Sequence, residues 1–128
     1  MIVLDEHFPE NQRQLLRSWR VSIRQIGFDA GRAGMDDDEI IPFLLSLRRP
    51  TFLTLDYGFY KRSLCHQKYS LVCLEVGQYE SASFARRVLS HEMFDTEAKR
   101  LGAVVRAFHT GLTLWRANTR AELRLTWS

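Results

Sequence analysis

The chain has little that would tie it to a disulfide scaffold, a zinc fold or a membrane. Two cysteines stand among 128 residues. Cys65 and Cys73 are too far apart for a Cys-x-x-Cys pair, and Cys73 lies inside the apolar run 69–74. Two buried thiols are therefore expected, and no zinc site follows from them. No apolar run approaches the roughly 20 residues that cross a bilayer. Met1 to Leu4 meets Asp5 and Glu6 at once, unlike a signal peptide. A cytoplasmic protein with no membrane partner is the expectation. His7, His66, His91 and His109 show no HExxH-type spacing. Ser63, Ser81 and Ser83 lie outside any nucleophile elbow, and no glycine-rich phosphate loop is present.

What remains is enough apolar material, 45% of the residues with only three prolines, for one ordinary core. We expect a single domain over 1–128. Formal charge is +3, unevenly spread. Acids concentrate before Phe59, whereas the last third carries Arg86, Arg87, Lys99, Arg100, Arg106, Arg116, Arg120 and Arg124. An acidic cluster in a basic protein suits a polyanion held by arginines and cut at a metal. The same arginines also fit solvated helix and strand faces.

Apolar periodicity alternates between strand and helix. Strands are expected at 2–4, from Val21 and Ile23 on to Ile26, at 51–55 and at 70–74. Helices are expected over 9–19, with Leu15, Leu16 and Trp19 at helical spacing, and from Asp37 or Asp38 to near Pro50, with Ile40, Ile41, Leu44 and Leu45 as the core face. Gly27, Gly31 and Gly34 mark a loop between them, and 57–68 reads as irregular. Two further helices are expected over 81–90 and 96–109, the latter from Ala98, Leu101, Val104, Val105 and Phe108. The tail alternates over 112–117 and 122–127, with 118–120 as its turn. Strands separated by helices imply parallel pairing, so the expected fold is a three-layer α/β/α sandwich with a mainly parallel central sheet.

That topology gives the acids a place. In an open parallel sheet, ligands bind beyond the carboxyl ends of the strands. Asp5 and Asp56 follow strands, and Asp37 or Asp38 opens the helix that starts at the same edge. Carboxylates gathered there repel one another unless a cation or basic group neutralises them. Mg2+ takes hard oxygen ligands and keeps several waters, so two or three carboxylates suffice to hold it and to activate water against a phosphodiester. Asp5 and Asp56 are the foremost ligands, with Asp37 binding directly or through water. Asp38 is a further candidate, as is Glu6, although strand alternation turns Glu6 away from Asp5 and would suit it to capping the first helix.

Leu4-Asp5-Glu6 followed by Phe8-Pro9, then Asp37-Asp38-Glu39-Ile40 opening a helix, then Leu53-Thr54-Leu55-Asp56 with Phe59 three residues on, resemble the PIN-like nucleases related to the VapC-type toxins. The resemblance covers roughly the first half of the chain, and the fourth strand and closing helices fit in order and length. It implies an endoribonuclease that uses Mg2+ or Mn2+ on single-stranded RNA. It also implies the toxin role of a toxin–antitoxin pair, with a separately encoded antitoxin as partner and homodimerisation left open. By position Asp5, Asp37 and Asp56 match the family's catalytic and metal-binding acids, and Thr54 matches the threonine that supports them. The chain departs from the pattern at Gly58, where this branch commonly carries Asp, and at His7, where Asn is frequent.

Each residue also has a structural explanation. Asp36 and Glu39 fit a capping box, and acids favour a helix N-terminus whatever the function. Asp56 fits an Asx turn, and Asp5 a strand terminator. Glu75 ends the fourth strand as a solvated acid or an arginine partner. Tyr57, Phe59 and Tyr60 suit base stacking, or a split with Phe59 in the core and the tyrosines outside. Arg116 and Arg120, near Trp115, are the candidate RNA contacts, and Leu123, Leu125 and Trp127 share a face suited to the core. Two rival functions remain: an inactive PIN-like module that binds RNA or protein, and a receiver-like phosphoacceptor domain. The second wants Ser or Thr ending strand four and Lys ending strand five, which Leu74-Glu75-Val76 and Trp115-Arg116 do not supply.

Overall fold

Short, largely buried apolar runs become strands in the computed structural model, which describes residues 1–127. Ser128, the last residue of the expected domain, lies outside the described residues. In chain order the elements are β1 (Ile2–Leu4), α1 (Glu10–Ser18), β2 (Ile23–Gln25), α2 (Asp37–Leu45), β3 (Thr51–Thr54), β4 (Ser70–Leu74), α3 (Ser81–Ser90), α4 (Glu97–Arg100), β5 (Ala103–Phe108), β6 (Gly111–Arg116) and β7 (Leu123–Leu125). One sheet contains all seven strands in the order β2-β1-β3-β4-β5-β6-β7. The first five are parallel, and β6 and β7 close the sheet as an antiparallel meander.

Alternation sorts the apolar side chains onto two faces. Ile2, Leu4, Leu53, Val72, Leu74 and Val105 share one face with Leu16 of α1 and Ala82, Ala85 and Val88 of α3. Val3, Phe52, Leu71, Cys73 and Val104 point to the other, where Ile40 and Leu44 of α2 cover them together with Phe59 and Tyr69. Burying each Val, Leu, Ile or Phe among them contributes about 1.5–3 kcal/mol. With helices on both faces, the arrangement is compatible with the expected three-layer sandwich. Among the described residues no helix is long and apolar enough to cross a membrane.

The expected helix over 96–109 is corrected. Only four residues are helical, in α4, and Gly102 follows at φ +86° before the chain enters β5. Ala103, Val105 and Ala107 face one side of the sheet and Val104 the other, so the apolar residues satisfy a period of two as well as a helical one. From there Phe108 pairs with Gly111 across a tight hairpin. A Cβ on Gly111 would lie 2.7 Å from the carbonyl oxygen of Leu125 on β7. Leu125 and Trp127 pack against the core as expected, but Leu123 is exposed.

Candidate functional site

β1 is short, and it ends one residue before its neighbour β3. The Asp5 amide still donates to the Leu53 carbonyl at 2.9 Å, which places the Asp5 side chain opposite Thr54. The fully buried Thr54 hydroxyl donates to Asp5 Oδ2 at 2.6 Å and accepts from the Asp56 amide at 3.0 Å. One threonine thus sets the Asp5 carboxylate and the backbone of Asp56 together. Asp56 Oδ1 accepts from the Gly58 amide at 2.8 Å, an Asx turn that opens a short 3-10 turn. A Cβ at Gly58 would lie 2.9 Å from that same oxygen. An aspartate there would crowd the Asp56 carboxylate.

The N-terminus of α2 completes the arrangement. Asp36 and Glu39 form the expected capping box, with the Asp36 amide 3.4 Å from Glu39 Oε1. Arg32 pairs with Glu39. Asp37 is then free to face Asp5 and Asp56 across a cavity of about 360 Å3, whose remaining wall includes Glu6, His7 and the apolar Ile26, Met35, Ile40 and Leu55. Loss of water at this wall raises the Asp37 carboxyl above its ordinary value, and the negative charges of Asp56, Asp5, Asp38 and Asp36 raise it further. No Lys or Arg lines the cavity. Among the described residues, Asp5, Asp37 and Asp56 form no ion pair.

Glu6 lines the same cavity but has another task. Both its oxygens lie 3.0 Å from the Gly34 amide, and Gly27 packs against it. It therefore ties down the loop over 27–34. α1 has Pro9 at its N-cap and no side-chain cap, so the expected capping role of Glu6 does not hold. Sequence reasoning missed Gln25. This buried side chain donates to the carbonyls of Asp5, Glu6 and Phe8 at 3.0, 3.2 and 2.9 Å, holding the turn that carries Asp5. The available signal was a polar residue at an inward strand position, two after Ile23.

The other candidates scatter. Asp38 lies outside the acid cavity and lines a neighbouring one of about 370 Å3 with Lys61. Tyr57 is exposed next to Asp56, Phe59 is buried, and Tyr60 is half-buried with its hydroxyl donating to Glu122 at 2.6 Å. Arg116 pairs in register with Ala103 at the start of β5, and Arg120 follows it in the turn before β7. Both therefore lie at the amino edge, away from the acids. On the cross-strand row running from Thr54 through Cys73 stands Arg106, 2.9 Å from Glu75. Both cysteines are free thiols. Burial, and then the charge of Asp56, pushes the Cys73 thiol up to about 12.

The donor set, carboxylate oxygens with no Lys or Arg in the cavity wall, fits a hard divalent cation in chemical type. Among the described residues no three His, Cys, Asp or Glu side chains form a ready-made cage. Mg2+ is commonly held by one or two carboxylates with waters and substrate phosphates instead. No protein-family model matches the chain, and neither curated proteins nor solved structures gave a match.

Proposed function

We propose that the chain is a PIN-like, divalent-cation-dependent endoribonuclease that cleaves single-stranded RNA, acting in the cytoplasm as the toxin of a toxin–antitoxin pair. The observation carrying this reading is the convergence of Asp5, Asp37 and Asp56 on one cavity with no Lys or Arg in its wall. Asp5 and Asp56 would hold Mg2+ or Mn2+, with Asp37 as a direct or water-mediated third ligand. Bound there, such a cation supplies water activation and charge neutralisation at a phosphodiester. Thr54 orients the Asp5 carboxylate by donating its only hydroxyl proton to it. Arg106, on the row leading from Thr54, is better placed than Arg116 or Arg120 to meet a phosphate next to the one cleaved. The test is cleavage of unstructured RNA by the purified chain with Mn2+ or Mg2+, beside Asp5→Asn and Asp56→Asn. Loss of cleavage in both variants, with circular dichroism unchanged, is expected. Cleavage that persists in both removes the assignment. Cation binding without cleavage leaves the inactive module.

One observation favours the receiver-like reading. The parallel order 2-1-3-4-5 is also a doubly wound order used by phosphoacceptor domains, and Asp56 follows β3. With β5 at Ala103–Phe108, the residues after β4 and β5 are Glu75 and His109. Neither the hydroxyl nor the lysine that this chemistry wants is there. Covalent labelling of Asp56 by a small phosphodonor is its test, and we expect none.

A further inference from the structure

At the opposite edge of the parallel strands, a second cavity has at its wall a guanidinium that forms no ion pair among the described residues. Arg100 is 8% exposed. Its Nε donates to Thr51 Oγ1 at 2.9 Å and its Nη1 to the Phe94 carbonyl at 2.8 Å. Both acceptors are neutral, and Thr51 Oγ1 also accepts from Ser70. Two acids lie close enough to act on Arg100, Glu97 and Asp95. Glu97 is turned to Arg49 and the Met1 amino group, and Asp95 to Lys99. Among the described residues Arg100 forms no ion pair, and its Nη2 forms no hydrogen bond. Of the five guanidinium N–H groups, two are used. The free ones lie at the Nη1–Nη2 end, a fork that fits a carboxylate.

Arg100 forms part of the wall of a cavity of about 500 Å3, a volume in the range of small-molecule sites. Ile2, Val21 and Ile23 make its apolar side, with Ser22 and Arg24 exposed at the rim. A largely buried guanidinium with unused N–H groups and no ion-pair partner favours a bound anion that can supply both. We propose that this cavity is a binding site for a small monocarboxylate with an apolar body. Its carboxylate would sit on the free end of Arg100 and its body against Ile2, Val21 and Ile23. The site is independent of the acid cavity and of the nuclease reading.

The test is NMR titration of the full chain with benzoate, with neutral benzamide and inorganic phosphate as comparisons. Benzoate should shift the Arg100 guanidinium and the Ile2 and Ile23 methyl signals saturably, and benzamide should bind at least tenfold more weakly. Arg100→Gln should abolish binding. Because that variant also loses bonds to Thr51 and Phe94, Ser22→Glu serves as a second. It places a competing carboxylate at the exposed rim and should weaken benzoate at least tenfold with the thermal midpoint little changed. Asp5→Asn should leave benzoate binding intact even if it abolishes nuclease activity. Equal binding of benzamide, preference for phosphate, or no shift at these residues overturns the proposal.

Discussion

Thr54 has one hydroxyl proton, and the structure commits it to Asp5 while the same oxygen receives the Asp56 amide. Thr54→Val keeps the shape and removes both bonds inside a dry interior. It should lower unfolding free energy by about 1–3 kcal/mol, measured by urea denaturation. Asp37 gives a pH signature. Its folded-state value lies above 3.8, so the folded protein favours the protonated form more than the unfolded chain does. The resulting stability deficit is full at neutral pH, shrinks as pH falls through the folded value and is gone below the unfolded one. In chelator-containing buffer, Asp37→Asn should therefore raise the thermal midpoint at pH 7 and leave it unchanged near pH 3. A higher midpoint at both pH values would contradict this account. Asp5 and Asp56 were legible because each follows an apolar run, and Asp37 because it opens a helix whose apolar face begins at Ile40. Gln25 and the loop-tying role of Glu6 were not, since both depend on backbone groups brought close only by folding.

At the level of elements, β1, α1, α2, β3, β4 and α3 follow from periodicity because each has one apolar face or a short, fully buried run. The segment over 96–109 misled because valines and alanines there satisfy two periods at once. Gly102 decides the matter. At φ +86°, with open space where a Cβ would go, it ends α4 and aims the chain into the sheet. Gly102→Ala meets no clash, so its cost is conformational, about 1–2 kcal/mol. A shift of the urea midpoint to lower concentration is expected, without loss of strand content. An unchanged midpoint would show that the left-handed backbone at this position is dispensable.

Across the whole molecule, the sheet sets the acid cavity at one edge apart from a group of arginines at the other. The carboxyl edge gathers acids, and the amino edge holds Arg49, Arg100 and Arg116. That separation was only half legible. The arginine-rich last third was visible, but Arg116 reaches the amino edge because β6 runs antiparallel to β5, a pairing the mainly parallel reading did not specify. If a cation binds the acids in the folded state alone, mass action stabilises the fold by about 2.7 kcal/mol at a hundred times the dissociation constant. Mn2+ should then raise the thermal midpoint of the native chain, chelator should reverse the rise, and the Asp5→Asn/Asp56→Asn double variant should show none. The meander beyond β5 is held on different terms. Only a hydrogen atom fits between the Gly111 backbone and the Leu125 carbonyl. The last strand is thus docked through a gap one atom wide, on the far side of β5 from the acids. A single methyl group there would loosen the C-terminus and leave the cavity intact, so what the tail does can be studied apart from what the acids do.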